Sequence, residues 1–446
     1  MESPAMRQTT PAAAPSFLVR IGIPPALAWG YVAVLLFMIG DGVESNYLAP
    51  YLSHNGFTLD IAATVITFYG VTVTLGSWLA GSLSTLIGPR QVMLLGGVIW
   101  IVFEILFLAF ALPAKSVIGI ALTYGLRGLA YPMFAYAFLV WIQSAAPTEI
   151  RGSATGWFWL AFTGGLPTLG SLVAIFSIRL IGEYATFWLS LILVALGLII
   201  MLIAVKERSG YRALRDEQQR KQSVGRTLLS GIDILWREPR IAAAAVVRII
   251  NTTPYFGFFI FLPGFFTERI GFSQTEYLSL ITIMGLVGMS FNPVIGKISD
   301  HIGWRKVLTF FGGLGSGIAM LLMYFVPQWS GGSFILSVMF ACLYGITLCG
   351  YVPAAALFSS LCATKDKGNA MAIYCFAAGL STFFGPALYS GLNKLFGTEG
   401  VIWCYALLYL VSALISWCFL LSPLDPGEQT NPAALRLRKL HSAISE

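Results

Sequence analysis

Long apolar runs, separated by short polar segments, recur along the whole of the 446-residue chain. Each run has about the length that an α-helix needs to cross a bilayer, and none shows the strict alternation of a β-strand. Because backbone polar groups in hydrocarbon must be satisfied within the segment, these runs predict helices. The runs lie near 26–48, 60–86, 92–112, 117–142, 153–177, 184–205, 242–266, 275–296, 306–327, 333–361, 369–391 and 401–421. The pattern therefore predicts an all-α membrane protein with twelve transmembrane helices.

Composition supports a membrane protein and excludes several other classes. Hydrophobic residues make up 57% of the chain and charged residues only 11%, whereas a soluble domain carries roughly 25% charged residues. A single core stops growing at about 250–300 residues, so lipid must solvate much of this apolar surface. The sequence has no phosphate-binding P-loop, no nucleophile triad and no closely spaced metal ligands among its six cysteines. We therefore expect no catalytic residues, no metal and no cofactor, and the chain is not expected to be an enzyme.

Basic residues are distributed unevenly between the gaps that separate the predicted helices. Most of the 27 Lys and Arg residues lie at the termini or in even-numbered gaps. The odd-numbered gaps hold only Lys115, Arg179, Arg269 and Lys394. By the positive-inside rule, we expect both termini and the central loop on the cytoplasmic side of a bacterial inner membrane. The net charge of +7 then reflects topology and contact with membrane lipid, and not nucleic-acid binding.

The chain also contains an internal repeat with an offset of 215 residues. The repeated residues are Gly81, Gly88 and Arg90 after helix 2, and Gly296, Gly303 and Arg305 after helix 8. Thr85 stands in the first copy at the place of Asp300 in the second. The repeat predicts two six-helix halves. The predicted domains are a cytoplasmic N-terminal segment (1–25), a first bundle (26–205), a cytoplasmic loop (206–240), a second bundle (241–422) and a cytoplasmic tail (423–446).

These two loops resemble the loop signature of the major facilitator superfamily. The resemblance implies two six-helix bundles related by pseudo-twofold symmetry, and a gating role for the loop residues. Thr85 departs from the signature, in which an acid is usual, so a conformational latch is not expected in the first half. Asp300 together with Arg305 keeps a latch in the second half possible. Glycines in such loops permit tight turns and close helix approach.

Ionisable side chains within membrane spans are costly, so each is a functional hypothesis. Asp41 and Glu44 of helix 1 are three residues apart and share one helical face. Two acids in a dry cavity interact strongly, as a proton-coupling site requires. Arg127 of helix 4 is the expected counter-charge, and a static ion pair that joins helices is the alternative. Glu104 of helix 3 has no evident partner, which leaves open coupling, an interhelical hydrogen bond or exposure to a vestibule.

Polar stripes on three helices suggest a binding site. Their residues are Arg248, Asn251 and Tyr255 on helix 7, Tyr124, Arg127 and Tyr131 on helix 4, and Tyr344 and Tyr351 on helix 10. Tyrosine and asparagine can hydrogen-bond a hydroxylated solute while an aromatic ring covers its C–H face. We therefore predict that these side chains bind the substrate. The alternative is that the tyrosines form interfacial belts or fill packing space.

Several segments resemble the bacterial pentitol permeases for ribitol and D-arabinitol more closely than the superfamily at large. They are GDGVE (40–44), YGLRGLAYP (124–132), GWFW (156–159), RIINT (248–252) and AAGLS (377–381). The resemblance implies proton-coupled uptake of a polyol, through Asp41 or Glu44 with Arg127, and hydroxyl contacts at Asn251. We also expect the protein to be a monomer. Two alternatives stay open. Arg127 and Arg248 would form a clamp for an organic anion, whereas the Gly- and Pro-rich turn in helix 5 suggests an efflux antiporter.

Overall fold

The computed structural model describes residues 16–45, 47–213, 232–363, 366–429 and 431–432. Within these ranges the chain is helical and contains no β-strand. The membrane helices are α1 (Pro25–His54), α2 (Leu59–Ile87), α3 (Pro89–Ala111), α4 (Val117–Ala145), α5 (Thr148–Ile181), α6 (Glu183–Ala204), α7 (Pro239–Arg269), α8 (Gln274–Ile302), α9 (Trp304–Trp329), α10 (Phe334–Ser360), α11 (367–396) and α12 (398–419). The prediction of twelve transmembrane helices is confirmed.

Local sequence explains where several helices begin and end. Thr58 accepts a hydrogen bond from the backbone of Ile61 at the start of α2, and Ser273 forms a capping box with Glu276 at the start of α8. Helices α11 and α12 form one helical stretch, Lys367–Phe419, that Gly397 interrupts with φ +66°. Because that backbone conformation favours glycine, Gly397 allows the chain to turn between the two spans.

The two loops that carry the repeated motif have equivalent conformations. Gly88 (φ +94°) joins α2 to α3, and Gly303 (φ +111°) joins α8 to α9. Each glycine lies directly after the last residue of one helix and before the first residue of the next. A side chain would strain these turns, which accounts for the glycines in both copies. We name the side of the bundle on which these two loops lie the motif face.

The halves meet along two helix pairs, and small residues permit close approach at both. Between α2 and α11, a Cβ added at Gly81 would lie 2.7 Å from the backbone nitrogen of Ala372. Between α5 and α8, a Cβ added at Gly296 would lie 3.1 Å from the Cα of Ser153. The motif-face ends of these pairs are thus in tight contact.

Contact between the halves weakens with distance from the motif face. On α2, Gly70, Thr74 and Gly81 lie on one stripe at helical spacing. Thr74 Oγ1 lies 3.4 Å from the carbonyl oxygen of Gly379 on α11. Gly70, one turn further from the motif face, has open space beyond its Cα within 4 Å. The bundle is therefore closed at the motif face and splayed towards the opposite side along this pair.

The domain boundaries remain predictions. The N-terminal segment, the central loop and the C-terminal tail fall largely on residues 1–15, 214–231 and 433–446, which lie outside the described residues. The described flanks are helical or turn-like: a short helix, Phe17–Arg20, precedes α1, and a 3-10 turn, Arg208–Tyr211, follows α6.

Candidate functional site

Three carboxylates and one guanidinium form a buried cluster inside the first half. Arg127 Nη1 lies 2.5 Å from Glu44 Oε1 and also pairs with Glu104. The side chains of these three residues have 0% of their area exposed. Glu44 Oε2 also accepts a hydrogen bond of 3.4 Å from Ser190 of α6. The cluster, which Asp41 completes, therefore ties α1, α3, α4 and α6 together.

Asp41 belongs to the same cluster but has different partners. Its Oδ1 accepts a hydrogen bond of 2.7 Å from Trp100 Nε1, and its Oδ2 accepts one of 3.3 Å from the Tyr69 hydroxyl. Among the described residues, Asp41 has no ion pair with Arg127. Arg127, the counter-charge that the sequence predicts, thus pairs with Glu44 and not with Asp41, because Trp100 and Tyr69 occupy the carboxylate oxygens of Asp41.

Glu104 also differs from the expectation, because it has a partner. The sequence offered none on its own helix, yet Arg127 of α4 lies against it. Arg127 is further covered by two aromatic rings, with its Cζ 4.7 Å from the ring centre of Trp100 and 4.3 Å from that of Tyr124. These cation–π contacts help to hold a desolvated guanidinium.

The charge count of this cluster decides what it can do. Burying a carboxylate is expensive unless a counter-charge or a proton neutralises it. One guanidinium neutralises one of the three carboxylates, so protons are the natural compensation for the others. The cluster thus has the composition of a proton-binding site. Its members lie about 22–29 Å along their helices from the motif face, which is nearer the splayed side.

A second charged site lies where the two halves meet. Arg248 of α7 has 2% of its area exposed. Its Cζ lies 5.6 Å from the ring centre of Trp159 on α5 and 5.0 Å from that of Tyr374 on α11. Its Nη1 donates a long hydrogen bond of 3.4 Å to Thr252, and Thr252 Oγ1 lies 2.6 Å from Ser381 Oγ. Aromatic rings from both halves thus enclose this cation.

The other residues of the predicted stripes are distributed more widely. Tyr124 and Tyr131 flank Tyr69, with ring centres 4.8 Å and 6.4 Å from it, and so border the acid cluster. Asn251 is buried, and its backbone carbonyl accepts a hydrogen bond of 3.2 Å from Tyr409. Tyr255 is partly exposed on α7.

The tyrosines of α10 are directed towards α12. The hydroxyl of Tyr344 lies 3.0 Å from that of Tyr409, and the hydroxyl of Tyr351 lies 3.0 Å from Ser412 Oγ. Both tyrosines are buried. Their hydroxyls therefore join α10 to α12 within the second half. This contact corresponds to the packing role that was the alternative to substrate binding for these two tyrosines.

The two polar loop residues of the second copy, Asp300 and Arg305, have separate partners. Asp300 crosses to the other half, where it accepts hydrogen bonds from the backbone nitrogens of Gly152 (2.8 Å) and Ser153 (2.7 Å). Arg305 instead pairs with Glu428, with 2.5 Å between Nη2 and Oε1. Asp300 and Arg305 thus contact different segments: Asp300 makes the contact between the halves, and the latch in the second half stays a prediction.

The first copy lacks the acid and makes a different contact. Thr85 donates to the carbonyl of Gly81 at 3.2 Å and lies against Gly368 of the other half. Arg90 donates to the carbonyls of Val205 and Leu202, the latter at 2.7 Å. Both arginines of the repeat therefore hold the end of the sixth helix of their own half and the chain directly after it.

Four aromatic residues at the two sites were missed in the sequence. Trp100 has a visible signal, because it precedes Glu104 by four residues and so shares its helical face. Trp159 lies in a segment that carries the family resemblance. Tyr69 and Tyr374 have no such signal, since their positions depend on how α2 and α11 pack.

Comparison with known proteins identifies the family. The sequence profile of the Major Facilitator Superfamily matches residues 30–352. The chain is 37% identical over 399 residues to the alpha-ketoglutarate permease of Bacillus subtilis (strain 168), covering 90% of each chain. It is 36% identical over 410 residues to the ribitol transporter of Klebsiella pneumoniae, covering 92% of this chain and 93% of that protein, which confirms the resemblance to pentitol permeases. The structure of the proton:xylose symporter XylE bound to 6-bromo-6-deoxy-D-glucose has the same fold, with a TM-score of 0.68 at 18% identity, covering 89% of this chain and 95% of that one. The chain therefore belongs to the Major Facilitator Superfamily and is a membrane transporter, not an enzyme.

Proposed function

We propose that the protein takes up a small polyhydroxylated solute of the pentitol class together with protons, by alternating access. The observation that carries this proposal is the excess of buried acid over base around Arg127. Three carboxylates share one guanidinium in a site that is closed to solvent. A static structural pair needs one acid, and the additional carboxylates give the site a capacity for protons. The printed substrate of the ribitol transporter supports a pentitol.

The direction of transport follows from the location of the charges. The motif face carries the basic loops of the sequence, so we place it in the cytoplasm of a bacterium, with the helices in the inner membrane. The tight contacts at Gly81 and Gly296 then close the cytoplasmic side. In this orientation the acid cluster lies nearer the outside, where protons enter during uptake. Both sites lie within one chain, so a monomer is sufficient.

The proposal is tested with purified protein in liposomes that enclose a pH-sensitive dye. Ribitol or D-arabinitol added outside should acidify the interior of vesicles that have no ion gradient. Asp41→Asn and Glu44→Gln should each abolish this acidification. Glu44→Gln should still fold, because Arg127 keeps Glu104 as its partner. Glu268→Gln changes an exposed glutamate of α7 and should behave like the wild type.

The two parts of the proposal fail in different ways. Saturable pentitol uptake without proton movement in the wild type would refute the coupling. Wild-type accumulation by both Asp41→Asn and Glu44→Gln would refute the role of the cluster. No movement of either pentitol in preparations that bind other solutes would refute the substrate class.

A further inference from the structure

Arg248 is a buried cation without an anionic partner. No carboxylate among the described residues lies within ion-pair distance of its guanidinium. Its Nε has no hydrogen-bond partner there either, and its Nη1 makes the long contact to Thr252. Aromatic rings and hydroxyls are weak compensation for a charge whose residue is only 2% exposed. The site thus lacks one negative charge.

Arg127, the other buried arginine, is in the opposite situation. Arg127 has two carboxylate partners, so its positive charge is already compensated. The two buried arginines therefore lie in sites of opposite charge. Around Arg127 there is an excess of carboxylates, which protons would neutralise, whereas the positive charge of Arg248 would be neutralised by an anion. An anionic solute that moves together with a proton would satisfy both sites at once.

The position of Arg248 is suited to a transported ligand. It lies about 14 Å along α7 from the motif face, between side chains of the two halves. Trp159 of the first half and Tyr374 of the second cover its guanidinium. A ligand held there touches both halves, so its binding energy can differ between the closed and open arrangements, as alternating access requires.

We propose that Arg248 is a carboxylate anchor and that the preferred solute is a polyhydroxy monocarboxylate, the acid that corresponds to a pentitol oxidised at one terminal carbon. A guanidinium binds a carboxylate through two parallel hydrogen bonds. Because Arg127 is already paired and Arg248 is not, one carboxylate is expected. The hydroxyls of Thr252 and Ser381, 2.6 Å apart beside the guanidinium, are suited to hydroxylated carbons next to it. This inference rests on the proposed function: the pentitol remains a substrate, and its terminally oxidised acid is the preferred one.

The test compares two pairs of compounds that have the same carbon skeleton and differ only at one end: ribitol with ribonate, and D-arabinitol with D-arabinonate. Binding to the purified wild-type protein is measured by calorimetry at pH 7. We expect the acid of each pair to bind about tenfold tighter or more, since charge-assisted hydrogen bonds are roughly twice as strong as neutral ones. Proton movement with each compound is followed in the liposome assay.

Variants separate an anchor from a packing role. Arg248→Gln should weaken binding of the acids about tenfold or more and change binding of the pentitols less than about threefold. Arg248→Lys keeps the charge and should restore part of the affinity for the acids. Arg269→Gln is the matched control, because Arg269 is an arginine at the far end of the same helix whose Nη1 lies 3.0 Å from the Tyr324 hydroxyl. Melting temperatures confirm that each variant is folded.

Each outcome has one meaning. Pentitols that bind as well as their acids, or an Arg248→Gln variant that weakens both equally, would overturn the anchor. Ribitol-driven proton movement without ribonate binding would overturn the anchor and leave the proposed function standing. Ribonate binding that depends on Arg248 but moves no protons would keep the anchor and overturn the coupling. Binding of neither compound of either pair would overturn both.

Discussion

Asp300 is the best point at which to test whether the closed motif face is held by a specific contact. Its carboxylate lies at the start of the helical part Arg151–Thr163 of α5, and it accepts three hydrogen bonds there. They come from Gly152 N (2.8 Å), Ser153 N (2.7 Å) and Ser153 Oγ (2.6 Å). Since α8 and α5 belong to different halves, opening of the motif face must break all three. Asp300→Asn keeps the size of the side chain and removes its charge.

The magnitude follows from the nature of these contacts. A hydrogen bond to a charged group contributes about 1.5–3 kcal/mol, and a negative charge at a helix N-terminus about 0.3–1 kcal/mol. The amide retains one acceptor oxygen, so we expect a loss of about 2–3 kcal/mol from the closed arrangement. At 1.4 kcal/mol per factor of ten, the ratio of closed to open protein should fall about 30- to 140-fold.

The assay is a distance measurement between spin labels on the motif face, at Ile87 of α2 and Ile302 of α8. Both positions are exposed at the ends of their helices. The accessible cysteines Cys342, Cys404 and Cys418 are first replaced by serine. The parent protein should give a short distance, and Asp300→Asn should add a longer one. Identical distance distributions in Asp300→Asn and in the exposed control Asp233→Asn would refute the latch.

Two further predictions concern the same face. A Cβ at Gly81 would lie 2.7 Å from a backbone nitrogen of α11, so Gly81→Ala should cost the closed arrangement about 1–3 kcal/mol and slow transport in liposomes, whereas Gly70→Ala should not. Burial raises the pKa of Glu428, but hydrogen bonds from Asn431 and Arg305 and nearby positive charge outweigh it, so the pKa lies below its usual range. The interactions of the Glu428 carboxylate therefore stabilise the folded protein at pH values above the pKa of Glu428 in the unfolded chain. This stabilisation is lost as the pH falls through the pKa of Glu428 in the folded protein. Glu428→Gln should lower Tm at pH 7 by about 2–4 °C and leave it unchanged once the pH has fallen below the pKa of Glu428 in the folded protein; an equal loss on both sides of that pKa would contradict this reasoning.

The helices were predictable because the bilayer sets their length. In a chain with so few charged residues, a run of about 20 apolar residues is the length that spans hydrocarbon, and the twelve predicted runs agree with the observed helices. The two motif loops were predictable for a related reason, since Gly88 and Gly303 both adopt a positive φ that other residues avoid. Both features depend on local sequence alone.

The partners of the buried charges were not predictable in the same way. Sequence placed Asp41, Glu44, Glu104 and Arg127 inside spans, but it could not decide which acid faces the arginine. That choice depends on the rotation of α3 about its axis, which brings Glu104 to Arg127 and Trp100 to Asp41. The partner of Arg305 depends on chain that follows α12, 123 residues away.

The acid cluster lies within the first half, so proton binding is coupled to transport only if it alters a contact between the two halves. Glu44, Glu104 and Arg127 lie on helices of the first half, so a proton bound to them does not by itself alter a contact between the halves. Asp41 is connected to a contact between the halves, because Tyr69, which donates a hydrogen bond to it, lies on α2, and α2 packs against α11 of the other half. Further along α2, Thr74 meets Gly379 of α11 at the point where the halves begin to separate. A proton on Asp41 changes the hydrogen bond that it can accept from Tyr69, and thereby acts on the helix that closes the motif face. We therefore expect Asp41 to link protonation to the movement of the halves, and Glu44 and Glu104 to set the charge against which that proton is bound.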